Sequence, residues 1–537
     1  MNALNPKRPA MRVALATLLL AAPTLFLPAC TDLGEETFSV VQPGEFFQTE
    51  QEVIAALAPV YAQLRATLWA YHNLTQVSSD ESIVPTRGSD WFDGGRWLSM
   101  HRQTWDPTLV DLNDAWVAAY TGVARANGLL QNLEAIDVPN KDGLIAELRA
   151  LRAYYYYQLL DLFGNVPIVG DEEGEFLADP DSPPPTETRE TVYNFIVSEL
   201  QEARDTLPDE ADLFGRMTKG AADAMLANLF INAAVFTNNS DAIDTDGYNS
   251  CQEAGTCQAA IDAVDRVLDS PAGYELVTDD WYGIFGPNNE ANPEHIFVVQ
   301  TAAVEGIGMN FQMRYLHYNQ LEPSPWNGFS TIAETYNAFP DADGRKDIFL
   351  VGQQISYETG DPVEDRNGNP LIFTPDCGDI ENTTEGACAR IAKFLPDPDH
   401  IGGDGHGNDY PFFRVGEMYL IKAEALNELG QTGQAIDLVN DLRERVYDAS
   451  ADDPEYPTLD DFLLDSGLSQ SEVRDWILQE RLFELTYEAK RRQDLVRFGR
   501  FDDPWSYKDQ SEDFRILFPI PQTQRDANPN HTQNPGY

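Results

Sequence analysis

Apolar residues recur every three or four positions toward both ends of the chain, and the recurrence stops in the middle. From Glu52 to about His72 this spacing predicts a helix. Between Asp111 and Ile136, Leu112, Trp116, Tyr120, Val123, Asn127, Leu130 and Leu133 fall on one stripe. Pro139 to Gly143 reads as a turn. Ile145, Leu148, Arg152, Tyr155, Leu159 and Leu162 then form a second stripe, which Gly164 and Pro167 end. Two long helices joined by so short a turn predict an antiparallel hairpin. Tyr154 to Tyr157 cover a whole helical turn and read as packing. Further helices are predicted over 191–206, 218–236 and 257–269.

Between about Asp269 and Asp409 the chain is dense in Gly, Pro, Asn and Asp, with strand-like pieces such as His295 to Gln300. Helical spacing resumes over Phe413–Leu429. After a Gly430–Gly433 turn it continues through Ile436, Val439, Leu442 and Val446. The run from Ala423 to Gly430, followed by Ala435-Ile436, is similar to a tetratricopeptide unit. One such unit cannot bury its own face, so the earlier hairpins are expected to stack on it. The fold expected is mainly α: a tetratricopeptide-like helical-hairpin scaffold with a large loop-rich insertion containing little β structure. Its parts are an N-terminal scaffold over 51–268, the insertion over 269–409 and C-terminal helices with a closing segment over 410–537.

The first residues read as an address. Lys7, Arg8 and Arg12 precede an apolar run from Val13 to Leu27, which has signal-peptide length and is short for a membrane span. It ends at Leu27-Pro28-Ala29-Cys30, which is similar to a lipobox. Residues 1–29 are thus expected to be a lipoprotein signal peptide, Cys30 the lipid-attachment site and 30–50 a tether. The remaining cysteines form two local pairs, Cys251 with Cys257 and Cys377 with Cys388. Two disulfides are expected in an oxidising compartment. Four cysteines allow three connectivities, and the local one is favoured.

Charge narrows the function. The chain has 537 residues, 88 acids against 36 Lys and Arg, and a formal net charge of −52. Its 42% hydrophobic content excludes a disordered acidic tail. The acid excess argues against nucleic-acid binding, which needs a basic surface. Only eight of the cations are Lys, so Arg dominates. A lysine-poor, acid-rich surface suits high salt, where screening removes most self-repulsion.

Several segments resemble one family. They are Leu148–Tyr157 continuing through Leu162-Phe163-Gly164-Asn165-Val166-Pro167, and Phe413–Leu420 with Ala423-Glu424-Ala425. Others run from Glu480-Arg481 to Arg497-Phe498-Gly499, and from Phe518-Pro519-Ile520-Pro521 to Gln533-Asn534-Pro535-Gly536-Tyr537. Together they resemble the SusD/RagB family of outer-membrane nutrient-binding lipoproteins. The resemblance implies a lipid-anchored protein exposed on the cell surface at the outer membrane. It also implies a partner, a SusC-like TonB-dependent transporter barrel, over which the protein sits as a hinged lid and delivers an oligosaccharide or a peptide. The acids after Cys30, at Asp32, Glu35 and Glu36, look like the family's surface-export signal. No covalent chemistry and no cofactor are implied.

A sugar ring offers an apolar face and a rim of hydroxyls, so its receptor needs exposed Trp or Tyr with polar groups at the edge. The Gly-rich segment 87–97 supplies Asp90, Trp91, Arg96 and Trp97, and in the family this region lies near the ligand face. The insertion adds Trp281, Tyr315, Tyr318, Trp326 and Asn327. Trp116 and Trp476 lie on helical stripes and read as core. The acids Glu480, Glu484 and Glu488 read as helix ion pairing, with Glu488 four residues before Arg492. Asp365–Asn369, Asp244–Gly247 and Asp341–Gly344 resemble fragments of calcium loops, and turn formation is their usual role. His400 and His406 read as part of a surface loop. A glycan-cleaving enzyme would need a spaced carboxylate pair, and no catalytic motif marks one.

Overall fold

The computed structural model describes residues 49–134, 136–170, 182–238, 247–400 and 405–537. The expected signal peptide, Cys30, nearly all of the tether and Asp244–Asp246 lie outside these residues. The N-terminal helices are α1 (Glu50–Val77), α2 (Arg96–His101), α3 (Val110–Glu134), α4 (Lys141–Phe163), α5 (Arg189–Arg204), α6 (Lys219–Ile231), α7 (Ala233–Thr237), α8 (Cys251–Ala254) and α9 (Cys257–Leu268). The insertion carries α10 (Phe311–Tyr315) and α11 (Ala333–Ala338). The chain then forms α12 (Val415–Glu428), α13 (Thr432–Glu444), α14 (Leu459–Phe462), α15 (Gln470–Leu485), α16 (Arg491–Arg497) and α17 (Gln522–Ala527).

The helices stack as the periodicity requires. Helix α3 packs on α1 and α4, α4 on α5, α5 on α6, α6 on α9, α9 on α12, and α12 on α13 and α15. The fold is tetratricopeptide-like and mainly helical. Helix α1 starts with a capping box between Thr49 and Glu52. The single helix expected over 218–236 is broken at Asn232, whose side-chain amide turns back to the Asn228 carbonyl at 2.9 Å. Tyr154 to Tyr157 are fully buried, and their hydroxyls are bonded. Tyr155 donates to the Val60 carbonyl and Tyr157 to Asn228, while Tyr154 accepts from Gln158. Burial of so much polar-tipped ring is tolerable because each tip has a partner.

Short strands order the insertion: β1 (His295–Val299), β2 (Phe349–Leu350), β3 (Gly352–Gln353), β4 (Ile372–Phe373), β5 (Arg390–Ile391) and β6 (Tyr410–Arg414). They pair β1 with β6, β2 with β5 and β3 with β4, all antiparallel. The first pair fastens the two ends of the insertion together. Its rings Phe285, Phe311 and Phe394 join the same hydrophobic core as the helices. At the other end of the chain, Asn534 donates to the Phe163 and Phe518 carbonyls at 2.7 Å each. The closing segment therefore locks the end of α4. Cys251–Cys257 and Cys377–Cys388 are both bonded, with Cα atoms 4.9 and 4.3 Å apart.

The acids of α15 do not pair along their own helix. The helix ends at Leu485, and Tyr487 and Ala489 take positive φ, so Glu488 and Arg492 share no helical face. Glu488 instead meets Arg414 at 2.8 Å and Lys393, while Arg492 pairs with Asp161. Glu484 holds Arg414, Arg445 and Arg345 at 2.6, 2.6 and 2.8 Å, and Glu480 holds Arg345 and Arg443. The expected i,i+4 pairing is replaced by a buried network that ties insertion to scaffold.

This interior draws cations inward. Among the described residues, fifteen Lys and Arg are buried, against eighteen Asp and Glu. With 36 cations and 88 acids in the chain, the surface is therefore more one-sidedly anionic than the sequence. Self-repulsion among exposed acids falls as ions screen it. Thermal melting in molar NaCl is expected several degrees above that in dilute buffer. Equal melting temperatures would refute a surface adapted to salt.

Candidate functional site

Two indole rings, Trp69 and Trp326, meet where α1 and the insertion converge, and Trp91 from the segment after α1 joins them through a hydrogen bond. Trp69 lies near the end of α1, one step off the apolar stripe of Leu57, Val60, Leu64 and Leu68, and so is only half-buried. Its ring meets that of Trp326 edge to face, with centroids 6.3 Å apart. Trp326 is half-buried, and its carbonyl accepts a hydrogen bond from the Trp91 indole at 2.6 Å. Trp91 is half-buried as well and takes a φ of 62°. The Trp91 ring lies so close to Gly328 that an added Cβ there would sit 2.3 Å from it. Glycine at this position is what lets the two loops approach.

Tyr318 extends the face into a polar rim. Its hydroxyl donates to Asp90 at 2.6 Å, and the Arg366 guanidinium lies 4.0 Å above its ring. Arg366 also pairs with Asp90 at 3.3 Å and with Glu385. His317 bonds Glu385 at 3.0 Å. Burial and the Asp90 carboxylate raise the Tyr318 phenol, which stays protonated. Burial lowers His317 despite Glu385 beside it. Burial opposes the charge of Glu385, but Arg366 and His317 hold it below the usual carboxylate range. Beyond Arg366 the rim opens into a polar recess of about 570 Å³ that includes Asn369, Asn382, Thr384 and Glu385. The face thus presents flat apolar rings beside fixed donors and acceptors, the pairing a carbohydrate requires.

Not every expected residue is on this face. Asp90, Trp91 and Trp326 are. Trp97 is fully buried beneath it, donating to Asp93 at 2.8 Å and packing on Trp91 and Phe329. Arg96 lies over the Trp97 ring and is held by Asp93 and Asp111. Trp281 is a core residue whose indole donates to Glu484 at 3.1 Å. Tyr315 is fully buried and donates to the Phe394 carbonyl. Asn327 is also fully buried. Its side chain accepts from Arg390 at 2.9 Å, and its carbonyl accepts from Arg87 at 3.0 Å. It shapes the loop beneath Trp326 and does not reach solvent. Trp97, Trp281, Tyr315 and Asn327 are therefore corrected to supporting positions.

The calcium-like turns use their own oxygens. Asp365 accepts from the backbone of Asn367 and Asn369, Asp341 pairs with Lys346, and Asp343 pairs with Arg345. These contacts make the segments turns. The first of them carries Arg366 to Tyr318. The His400 ring bonds backbone at Asp397 and Glu322, and His406 accepts from the Asp397 amide, so both brace the loop.

Residues 373–537 match the SusD family, and residues 45–231 match a related family described as "Starch-binding associating with outer membrane". The two matches take in the closing segments and the helical hairpins that the α-stack is built from. The chain belongs to the SusD/RagB family. A SusD-like protein of Formosa agariphila is 26% identical, over 96% of this chain and 98% of its own. The starch-binding protein SusD of Bacteroides thetaiotaomicron is 24% identical, over 81% of this chain and 80% of its own. Among solved structures, a SusD homolog from Bacteroides thetaiotaomicron superposes with a TM-score of 0.73 at 21% identity, covering 94% of this chain and all of its own. A laminarin binding SusD-like protein gives 0.69 at 24% identity, covering 91% of this chain and all of its own. The family's fold thus extends over nearly the whole chain.

Proposed function

We propose that this SusD/RagB family protein captures an oligomeric glycan on the Trp69–Trp326–Trp91 face and passes it to a TonB-dependent transporter. It binds and performs no covalent chemistry. The observation that carries the reading is the row of half-buried tryptophans beside the Tyr318–Asp90–Arg366 rim. Family likeness supports it, since relatives are named for starch and laminarin binding. A glycan is favoured over a peptide because the half-buried Trp69, Trp326 and Trp91 are linked in one group, and stacking on sugar faces rewards flat rings. A larger groove of about 700 Å³ between α9, α12 and α13 has no tryptophan in its lining and is set aside.

Anchoring through Cys30 at the outer-membrane surface is part of this reading, supported by the lipobox-like segment and by the match to a family described as associating with the outer membrane. Calorimetric titration with starch, laminarin and peptide oligomers tests the ligand class. Saturable binding of a glycan with no release of reducing ends supports the reading. Sustained release of reducing ends would make the protein an enzyme, and binding of peptides alone would move the ligand class. Co-purification with a transporter barrel tests delivery.

A further inference from the structure

In a chain with a net charge of −52, an arginine without a carboxylate is informative. Most buried guanidiniums here meet acids: Arg345, Arg414, Arg443, Arg481, Arg492 and Arg497 all do. Arg87 and Arg390 lack one but direct their N–H groups to backbone carbonyls. Arg314 does neither, and nor does Arg189, which packs against Phe236 away from the aromatic face. Arg314 is fully buried, one Nη reaches only His72 and Asn73, and its Nε and second Nη have no hydrogen-bond partner. No described carboxylate forms an ion pair with it. Burial lowers it to about 9, and the groups that oppose this are the phenols of Tyr487 and Tyr410, with no carboxylate among them.

Its position gives this arginine a meaning. The guanidinium lies 3.5 Å from the centroid of Trp69, so it supports one ring of the glycan face from behind. It also lines a cavity of about 90 Å³ between α1 and residues 308–311. Arg65, one helical turn before Trp69, lines the same cavity. Arg65 is half-exposed, donates to the Gln300 carbonyl at 3.1 Å, and likewise has no described carboxylate partner. Two guanidiniums without a carboxylate thus border one small cavity at the edge of the aromatic face, whose other walls include Leu68, Met309 and Phe311. The space suits a compact oxyanion and is too small for a sugar ring. Arg presents several donors in a fixed fork, which matches oxyanion geometry.

We infer that the Arg65–Arg314 cavity receives an anionic substituent of the glycan, a sulfate ester or a uronate carboxylate, while the adjoining ring stacks on Trp69. This rests on the glycan reading above and names its substrate class. The acidic surface repels anionic polymers at long range, but at high ionic strength that repulsion is screened beyond several ångströms. Short contacts in a partly buried site are screened less. Selectivity for charge and tolerance of salt are therefore compatible.

The test is calorimetric titration with a sulfated oligosaccharide, its chemically desulfated counterpart and a uronate-containing oligosaccharide. The native protein is expected to bind one of the charged ligands at least about tenfold more tightly than the neutral one, worth about 1.4 kcal/mol. Which charged ligand is preferred separates sulfate from carboxylate. In Arg65→Gln and Arg314→Met that preference is expected to fall to near unity. The ratio is the readout because Arg314 also supports Trp69, and Arg65→Gln decides alone if Arg314→Met does not fold. Equal binding of charged and neutral ligands, or a preference unchanged in the folded variants, overturns this inference and leaves the glycan reading intact. Failure of every oligosaccharide to bind overturns both.

Discussion

Replacing Trp326 and Trp69 together by alanine is expected to abolish measurable glycan binding while the protein stays folded. Both rings are half-buried, so truncation removes ligand-facing area without opening a deep core cavity. A central aromatic anchor typically contributes about 2–4 kcal/mol to binding, about 30- to 1,000-fold in affinity. Trp326→Ala alone is expected to cost more than Trp69→Ala, because Trp326 touches Trp69 on one side and its loop holds Trp91 on the other. Trp281→Ala is the contrasting case. Trp281 is buried against Phe285 and bonded to Glu484, so its loss should lower the melting temperature and leave the folded fraction's affinity unchanged. Affinity electrophoresis in polysaccharide gels, with melting curves beside it, reads both effects. If the double variant binds within about threefold of the native protein, the face has been misplaced.

The contrast between these tryptophans shows what sequence could carry. Helices α3, α4, α12 and α13 were legible because one buried side leaves a three-to-four-residue period in the apolar residues. The insertion has no such period, since each short segment packs by its own contour. Trp326 and Trp281 therefore look alike in sequence, both in Gly- and Asn-rich surroundings, yet one lies at the surface and the other against Glu484. Trp69 was overlooked for the opposite reason. It sits in a clear helix, and only its offset from the apolar stripe signals an outward ring. Arg366 lay in plain view within a calcium-like turn, but its partners Asp90 and Glu385 are 276 and 19 residues away. Arg414 and Glu484 read as ordinary charges because nothing in a local window shows that both will be buried.

That buried network should dominate stability. Arg414→Ala removes a main cationic partner of Glu484 and Glu488, and Glu484→Ala removes one carboxylate partner each from Arg345, Arg414 and Arg445. Breaking a buried pair from one side costs about 3–5 kcal/mol, because the remaining charge is desolvated without compensation. Each single variant is expected to lose stability on that scale in urea unfolding. The double variant Arg414→Met with Glu488→Gln should lose less than the sum of the two, since it removes both members of a pair. Additive losses would mean that the contacts contribute independently and the network is not coupled. The acid limb follows from the same groups. Burial opposes the charge of Glu484 and Glu488, but Arg445, Arg414 and Lys393 among their neighbours hold both below the ordinary value of 4.5. Their contribution is therefore complete above about pH 4.5 and is lost as pH falls below it. Glu81 and Asp409 act in the other direction. Burial raises them to about 8 and about 7, so their folded-state preference for the proton is progressively lost as pH climbs toward those values. Their contribution is complete only below the ordinary carboxylate values and is lost between about pH 4 and 8, so stability should be greatest near pH 4.5 and decline toward pH 8. Glu81→Gln should flatten the decline above pH 4.5 by removing the cost of ionising a buried carboxylate whose Oε1 has no partner. An unchanged decline with a shifted acid limb in that variant would place the titrating group in the network and not at Glu81.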